Sequence, residues 1–249
     1  MQVAAALLVT ACAAQSPASR LDQYVGSVPP AADQPLPAER PLHAAMIVLS
    51  DTTAPDAAPS LPDEARLKVI EELREELSRG YPVIIDKFIP ATGNALDDDG
   101  RERQWIDLAG RYGTDYVLVV ILSSTEQEYP TSVFLGWTTH RQPGFRRDNW
   151  SLAEAALLDG RTGGVLLRAE GRAWATLDSP TAPGISQWYP VIYLRPQDPE
   201  RRIWPPTYEG APITLRLVAM KQAVQRLASN FQRAWIAQRD RELAAAPLR

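Results

Sequence analysis

The groups in this chain that could do chemistry are few: one thiol, Cys12, two imidazoles, His43 and His140, and three adjacent carboxylates, Asp97, Asp98 and Asp99. A thiol can take up an acyl or alkyl group, paired imidazoles can hold a metal, and clustered carboxylates can hold calcium. The histidines stand alone. Nothing at metal-ligand spacing accompanies either, so both read as solvated surface side chains. Aligning Gly100 with the glycine of a helix–loop–helix calcium loop puts Ala95 at the first ligand position and Ile106 where a bidentate Glu is required. The three aspartates fit better as the first turn of a helix, where the helix dipole favours negative charge. No Gly-x-Ser-x-Gly elbow, phosphate-binding loop or Gly-x-Gly-x-x-Gly turn occurs. No metal and no cofactor is expected, and a catalytic constellation is not expected either.

That leaves Cys12, in "LLVTACAAQ", at the end of a short uncharged apolar run beginning at Val3. The run has the length of a secretory apolar core and falls short of the ~18 residues that span a bilayer as a helix. Only Met1 and Gln2 precede it, so an export signal here requires a start further upstream. Val9-Thr10-Ala11-Cys12 resembles the lipobox of bacterial lipoproteins, in which small residues lead to a Cys that receives diacylglycerol. The resemblance implies removal of residues 1–11 and a mature chain beginning at an acylated Cys12. At ~0.8 kcal/mol per buried methylene, about three acyl chains make a stable membrane anchor. The next residue is Ala13, not Asp. By the same resemblance, this favours the outer membrane of a double-membrane bacterium, with the domain facing the periplasm.

The elements that would follow such an anchor can be read from composition and periodicity. The chain has 249 residues, 45% apolar and 22% charged, with a net charge of −4. This is ordinary for one folded domain plus a tail. Its 26 basic residues form no long run, so nucleic acid is not an expected partner. One cysteine excludes an intrachain disulfide. From Ala13 to Pro41 the sequence is small, polar and rich in proline, and reads as a tether over 12–42 that packs no core.

Residues 43–245 read as a single α/β domain. "AAMIVLS" (Ala44–Ser50), "PVIIDKFI" (Pro82–Ile89) and "DYVLVVIL" (Asp115–Leu122) are short continuous apolar runs, as buried strands require. Between the first two, Ala65, Val69, Ile70, Leu73 and Leu77 line one face of a helix capped at Ser60 and ended by Gly80. Between the second and third, Trp105, Leu108, Ala109 and Tyr112 line another, ended by Gly113. Strand–helix–strand–helix–strand implies a three-stranded parallel core. Ser132–Thr139 and Trp150–Asp159 then read as strands flanking a basic loop, "HRQPGFRRDN". Val165–Asp178 follows a tight "GRTGG" turn, with Arg168, Glu170 and Arg172 alternating against Leu167, Ala169 and Gly171. This is an antiparallel meander extending the sheet. A long helix from about Thr214 to Ala245 is expected to cover one sheet face through Leu217, Met220, Val224, Leu227, Phe231 and Trp235.

The order of these elements, with "AAMIVLS", "YGTDYVLVVIL" and "LLDGRTGGVLLRAEG", resembles the α/β domain of envelope lipoproteins such as the penicillin-binding-protein activators and the curli secretion lipoprotein. The layout resembles still more the rhombotarget lipoproteins, with Tyr24 soon after the Cys and a late helix. The resemblance places Asp159, Thr162 and Gly163 in a hairpin turn. It implies a non-enzymatic lipoprotein whose periplasmic domain binds another envelope protein. The alternative it carries is a subunit of an oligomeric outer-membrane export pore of the curli-channel kind.

One stretch stands outside this scheme. Residues 179–212 read as a proline-rich insertion that gathers Trp188, Tyr189, Tyr193, Trp204 and Tyr208. Either these rings form a partner-binding face or the insertion folds back and buries them.

Overall fold

The computed structural model describes residues 16–26, 36, 42–80, 83–90, 101–134, 141–181, 190–195 and 198–245. In chain order these form α1 (Leu21–Val25), β1 (Leu42–Asp51), α2 (Asp63–Gly80), β2 (Val83–Pro90), α3 (Arg101–Tyr112) and β3 (Tyr116–Phe134). There follow β4 (Arg141–Asp159), β5 (Val165–Pro180), β6 (Val191–Arg195), β7 (Asp198–Ile203) and α4 (Ala211–Ala245). The seven strands make one sheet in the order β2-β1-β3-β4-β5-β6-β7. β2, β1 and β3 are parallel, and every later pairing is antiparallel. The expected architecture of a parallel βαβαβ core, an antiparallel meander and a late helix on the sheet is therefore the observed one.

Strand alternation divides the core between the two sheet faces. Ala44, Met46 and Val48 of β1, with Leu118 and Val120 of β3, face α2 and α4. Ala45, Ile47 and Leu49, with Val117, Val119 and Ile121, face α1 and α3. Because β1 and β3 are covered on both sides, they read as unbroken apolar runs. Helix α4 lies across β5, where Gly171 makes the close approach possible. A Cβ there would stand well inside 3.0 Å of the Ala223 carbonyl oxygen and the Leu227 nitrogen. The turn between β4 and β5 is built as its sequence implies. Asp159 Oδ1 accepts from the N–H groups of Arg161 (2.7 Å) and Thr162 (3.0 Å), and Gly163 takes φ +73°.

Three expectations are corrected. The first concerns β3 and β4, which form a hairpin of 19 residues per strand. The third strand does not stop at Leu122, and the basic loop 140–149 is, from Arg141 onward, the first half of β4. Its charges and prolines imitate a loop. In register, however, Arg147 stands opposite Glu128 (2.7 Å, Nε to Oε2) and Arg146 opposite Tyr129, pairings that stabilise a polar ladder. His140 itself lies outside the described residues, as do Asp97, Asp98 and Asp99.

The second concerns the insertion 179–212, which contains two strands. β6 pairs with β5 and β7 with β6, so part of it is sheet rather than loop.

The third concerns the tether 12–42, whose described residues before β1, 16–26 and 36, pack on the domain. Leu21 and Val25 are buried against α3 and the sheet, and Leu36 is buried against the end of α4. The proline-rich composition concealed three apolar side chains spaced to reach two different core clusters.

Candidate functional site

The charged face of β5 predicted by alternation is present, and it holds the N-terminal segment. Arg172 donates from Nη1 to the Ser16 hydroxyl (2.7 Å) and the Pro17 carbonyl (2.8 Å), while a bidentate pair with Glu170 fixes its guanidinium. Glu154 of β4, 2% exposed, accepts from the Ser19 hydroxyl and from the Arg20 N–H (2.9 Å). Arg168 pairs with Asp22 and donates to the Gly26 carbonyl (2.7 Å). Trp105 Nε1 of α3 donates to the Tyr24 carbonyl (3.3 Å). A buried carboxylate and two arginines on neighbouring strands thus clamp residues 16–26 along their length. The clamp lies on the face opposite α4, because Gly171, which α4 touches, and Arg172 are adjacent in the strand and point to opposite sides.

Where the segment begins, it lines a cavity of about 210 Å³ at the carboxyl ends of the parallel strands, with Ser16, Arg20, Asp51, Asp56 and Ser123 in its wall. Crevices outside the carboxyl ends of parallel strands are where α/β sheets place ligands. Burial pushes the Asp51 carboxyl up. The Thr53 hydroxyl (2.7 Å) and N–H (2.8 Å), the Tyr24 hydroxyl and the charge of Arg20 outweigh it, leaving the group below its ordinary range and ionised at neutral pH. A larger, open cavity of about 610 Å³ lies at the other end, between Leu42, His43, Ile106, Asp115 and the Asp159–Arg161 turn. His43 Nδ1 there is 2.9 Å from Asp86.

Beyond the end of β1, the long hairpin carries a polar and aromatic strip on the same face as the clamp. Thr176 (2.6 Å) and Tyr129 (2.8 Å) donate to the two oxygens of Asp148. Arg146 makes a bidentate pair with Asp178 (2.7 and 2.8 Å), and Trp150 stacks on Trp174 at 5.5 Å. Asp148 and Asp178 are almost fully buried. Burial, together with the hydrogen bond and charge of Asp148, raises the Tyr129 phenol above its ordinary value.

Of the residues singled out in the sequence, Cys12, Trp188 and Tyr189 lie outside the described residues. Tyr193 is a buried member of β6, its ring under Arg195 at 5.2 Å and its phenol pushed up by burial and by Asp178. Trp204 and Tyr208, in the connection from β7 to α4, are about half exposed. Of the three described aromatics, one is thus buried in the sheet and two are exposed in the connection to α4. Sequence reasoning missed Glu154, Arg168, Arg172 and Asp51 as a group. The alternation of charge in β5 was a signal that one sheet face meets something polar, and that something is the chain's own beginning.

No family model matches the chain, and no curated protein matches it. Several solved structures are similar in outline. The PelC dodecamer from Paraburkholderia phytofirmans shares 14% identity over 76% of this chain and 94% of its own, at a TM-score of 0.28. Lipoprotein GNA1162 from Neisseria meningitidis shares 15% over 54% and 83%, at 0.31. The hypothetical protein CT253 from Chlamydia trachomatis shares 13% over 79% and 98%, at 0.36. At these values the likeness concerns the general run of strands and helices, and it carries no inference about action.

Proposed function

We propose that the chain is a bacterial envelope lipoprotein, anchored through acylated Cys12, whose α/β domain is a non-enzymatic module binding another envelope protein from the periplasmic side of the outer membrane. The observation that supports this is the clamp. Glu154, Arg168 and Arg172 are committed to fixing the stretch that starts at Ser16, immediately downstream of the one thiol. Hydrogen bonds to charged groups contribute about 1.5–3 kcal/mol each. Ordering residues 16–26 against such a surface has a purpose if they lead to an attachment point. Among the described residues no helix is long and apolar enough to cross a membrane, so on this reading attachment rests on the thiol.

Trp204 and Tyr208, exposed beside the start of α4, are the aromatic groups offered to a partner. Cys12→Ser is expected to move the protein from the membrane to the soluble fraction, and mass spectrometry of the native product is expected to find residues 1–11 removed and the sulfur alkylated. A Cys12→Ser protein that stays on membranes refutes the anchor. In-cell crosslinking from probes at 204 and 208 is expected to capture a protein partner. Silence at both positions retires that face.

The pore alternative draws on the 19-residue strands of the β3–β4 hairpin, which are long enough to cross a bilayer. Glu126, Glu128, Arg146, Arg147 and Asp148 along it give neither face the apolar alternation that lipid contact demands. A heat-resistant oligomer on a detergent gel would favour this second reading.

A further inference from the structure

A tether of some 30 residues would let the domain drift ~30 Å from the lipid in any orientation. The clamp removes that freedom. Ser16, held by Arg172, sits four positions after Cys12, and four residues reach at most ~14 Å when fully extended. Resting on the anchor assigned above, we propose that the domain is held flush against the bilayer. The face bearing α1, the carboxyl end of β1 and the far half of the β3–β4 hairpin meets the lipid headgroups, and α4 points away.

The register fixes which surface this is. Asp51 pairs with Ser123, Ser123 with Leu152 and Leu152 with Arg172, so Ser16 lies over a single row across four strands. From that row the segment runs back toward the amino end of β1, reaching Glu154 at Ser19 and Arg20 and then Arg168 at Asp22 and Gly26. Its start therefore points toward the long hairpin, on the side opposite α4. The hairpin continues past the row from Ser124 to Phe134, about 35 Å at strand rise. On the side where the anchor leaves, it carries the partly exposed rings of Tyr129 and of the stacked Trp150 and Trp174. Tyr and Trp rings are the aromatic side chains enriched at a headgroup boundary. The occupant of this face is thus a lipid surface, dictated by the length of chain between the thiol and its first fixed residue.

The test uses the full acylated chain in vesicles. With Cys12 acylated, an introduced cysteine is the one free thiol. Asp56→Cys, beside the cavity at Ser16, is labelled with a fluorophore, as are Arg161→Cys in the β4–β5 turn and Gln232→Cys on the outer side of α4. Lipids spin-labelled at the headgroup serve as the quencher. Strong quenching at 56 and severalfold weaker quenching at 161 and 232 is the expected result, and equal quenching at the three sites overturns the proposal. Inserting about twenty Gly and Ser residues between Gln15 and Ser16, a coil of ~25 Å, is expected to erase the difference. A difference that survives the insertion shows that short reach is not its cause, and it too overturns the proposal. Mass spectrometry of the same sample separates the two readings. A bare Cys12 sinks the lipoprotein reading and this one with it, whereas an acylated Cys12 with uniform quenching sinks this one alone.

Discussion

Gly171 of β5 and Ala223 of α4 touch backbone to backbone, with no room for a side chain between them. Gly171→Ala is expected to push α4 off the sheet over Ala223, Leu227 and Ala228, which are all buried. The loss is expected at the upper end of the overpacking range, ~3 kcal/mol, or roughly 6–12 °C in melting temperature for a domain this size. Gly110→Ala is the counterpart. It sits inside α3 with nothing within 4 Å of the added carbon, and is expected to stabilise by ~0.5–1 kcal/mol. Urea unfolding of the two variants should show opposite signs.

Glu154 is the buried end of the clamp, and Arg20 beside it offers trypsin a cleavage site. In Glu154→Ala the Arg20 N–H and the Ser19 hydroxyl lose their acceptor, while the domain's core strands keep theirs. Loss of ~1.5–3 kcal/mol of charged hydrogen bonding should raise cleavage after Arg20 by about 10- to 100-fold. The fragment from Leu21 onward should stay folded by circular dichroism. Cleavage at the native rate would show that the clamp does not hold the segment.

Glu72 joins α2 to α4. Its carboxylate is lowered below the ordinary glutamate value first by the Gln225 amide (2.8 Å), then by Lys221 (3.0 Å), against a smaller cost of burial. A depressed carboxyl contributes stability that is present above its unfolded value, ~4.3, and lost as pH falls through the folded one. The wild-type melting temperature should therefore drop more steeply than that of Glu72→Gln between pH 5 and pH 3. At pH 7 the variant should be the less stable of the two. Parallel curves would show that the link carries no charge dependence.

Arg146 faces a carboxylate that has almost no access to water. Arg146→Met leaves Asp178 buried and unpaired, a loss of ~3 kcal/mol or more, whereas Arg146→Met with Asp178→Leu should recover over half of it. Denaturant midpoints of the two single variants and the double one measure that coupling.

How much of this could be read without coordinates depended on whether burial was two-sided. Val117–Leu122 and Ala44–Leu49 announced themselves because both of their faces are covered, which leaves no polar position to confuse the pattern. Helices α2 and α4 were legible because one apolar stripe meets one surface. The far half of the β3–β4 hairpin was not, since its stability lies in cross-strand pairs such as Glu128 with Arg147, and those become visible only once register is known. The clamp was harder still. Ser16, Ser19 and Asp22 find their partners more than a hundred residues away, on strands whose charges look solvated in the linear chain. The turn Asp159–Gly164 needed no distant information, and its short local hydrogen bonds were written in six residues.

The two borders of the sheet decide how copies of this molecule can meet. β7, "DPERRI", places on one border a proline that has no N–H to give, and β2 runs out at Pro90 after Asp86 and Lys87. Neither border invites a neighbour to continue the main-chain ladder. Any ring or array built from this protein is expected to grow through side chains on its broad surfaces, and should come apart under conditions that leave each subunit's own strands protected from amide exchange.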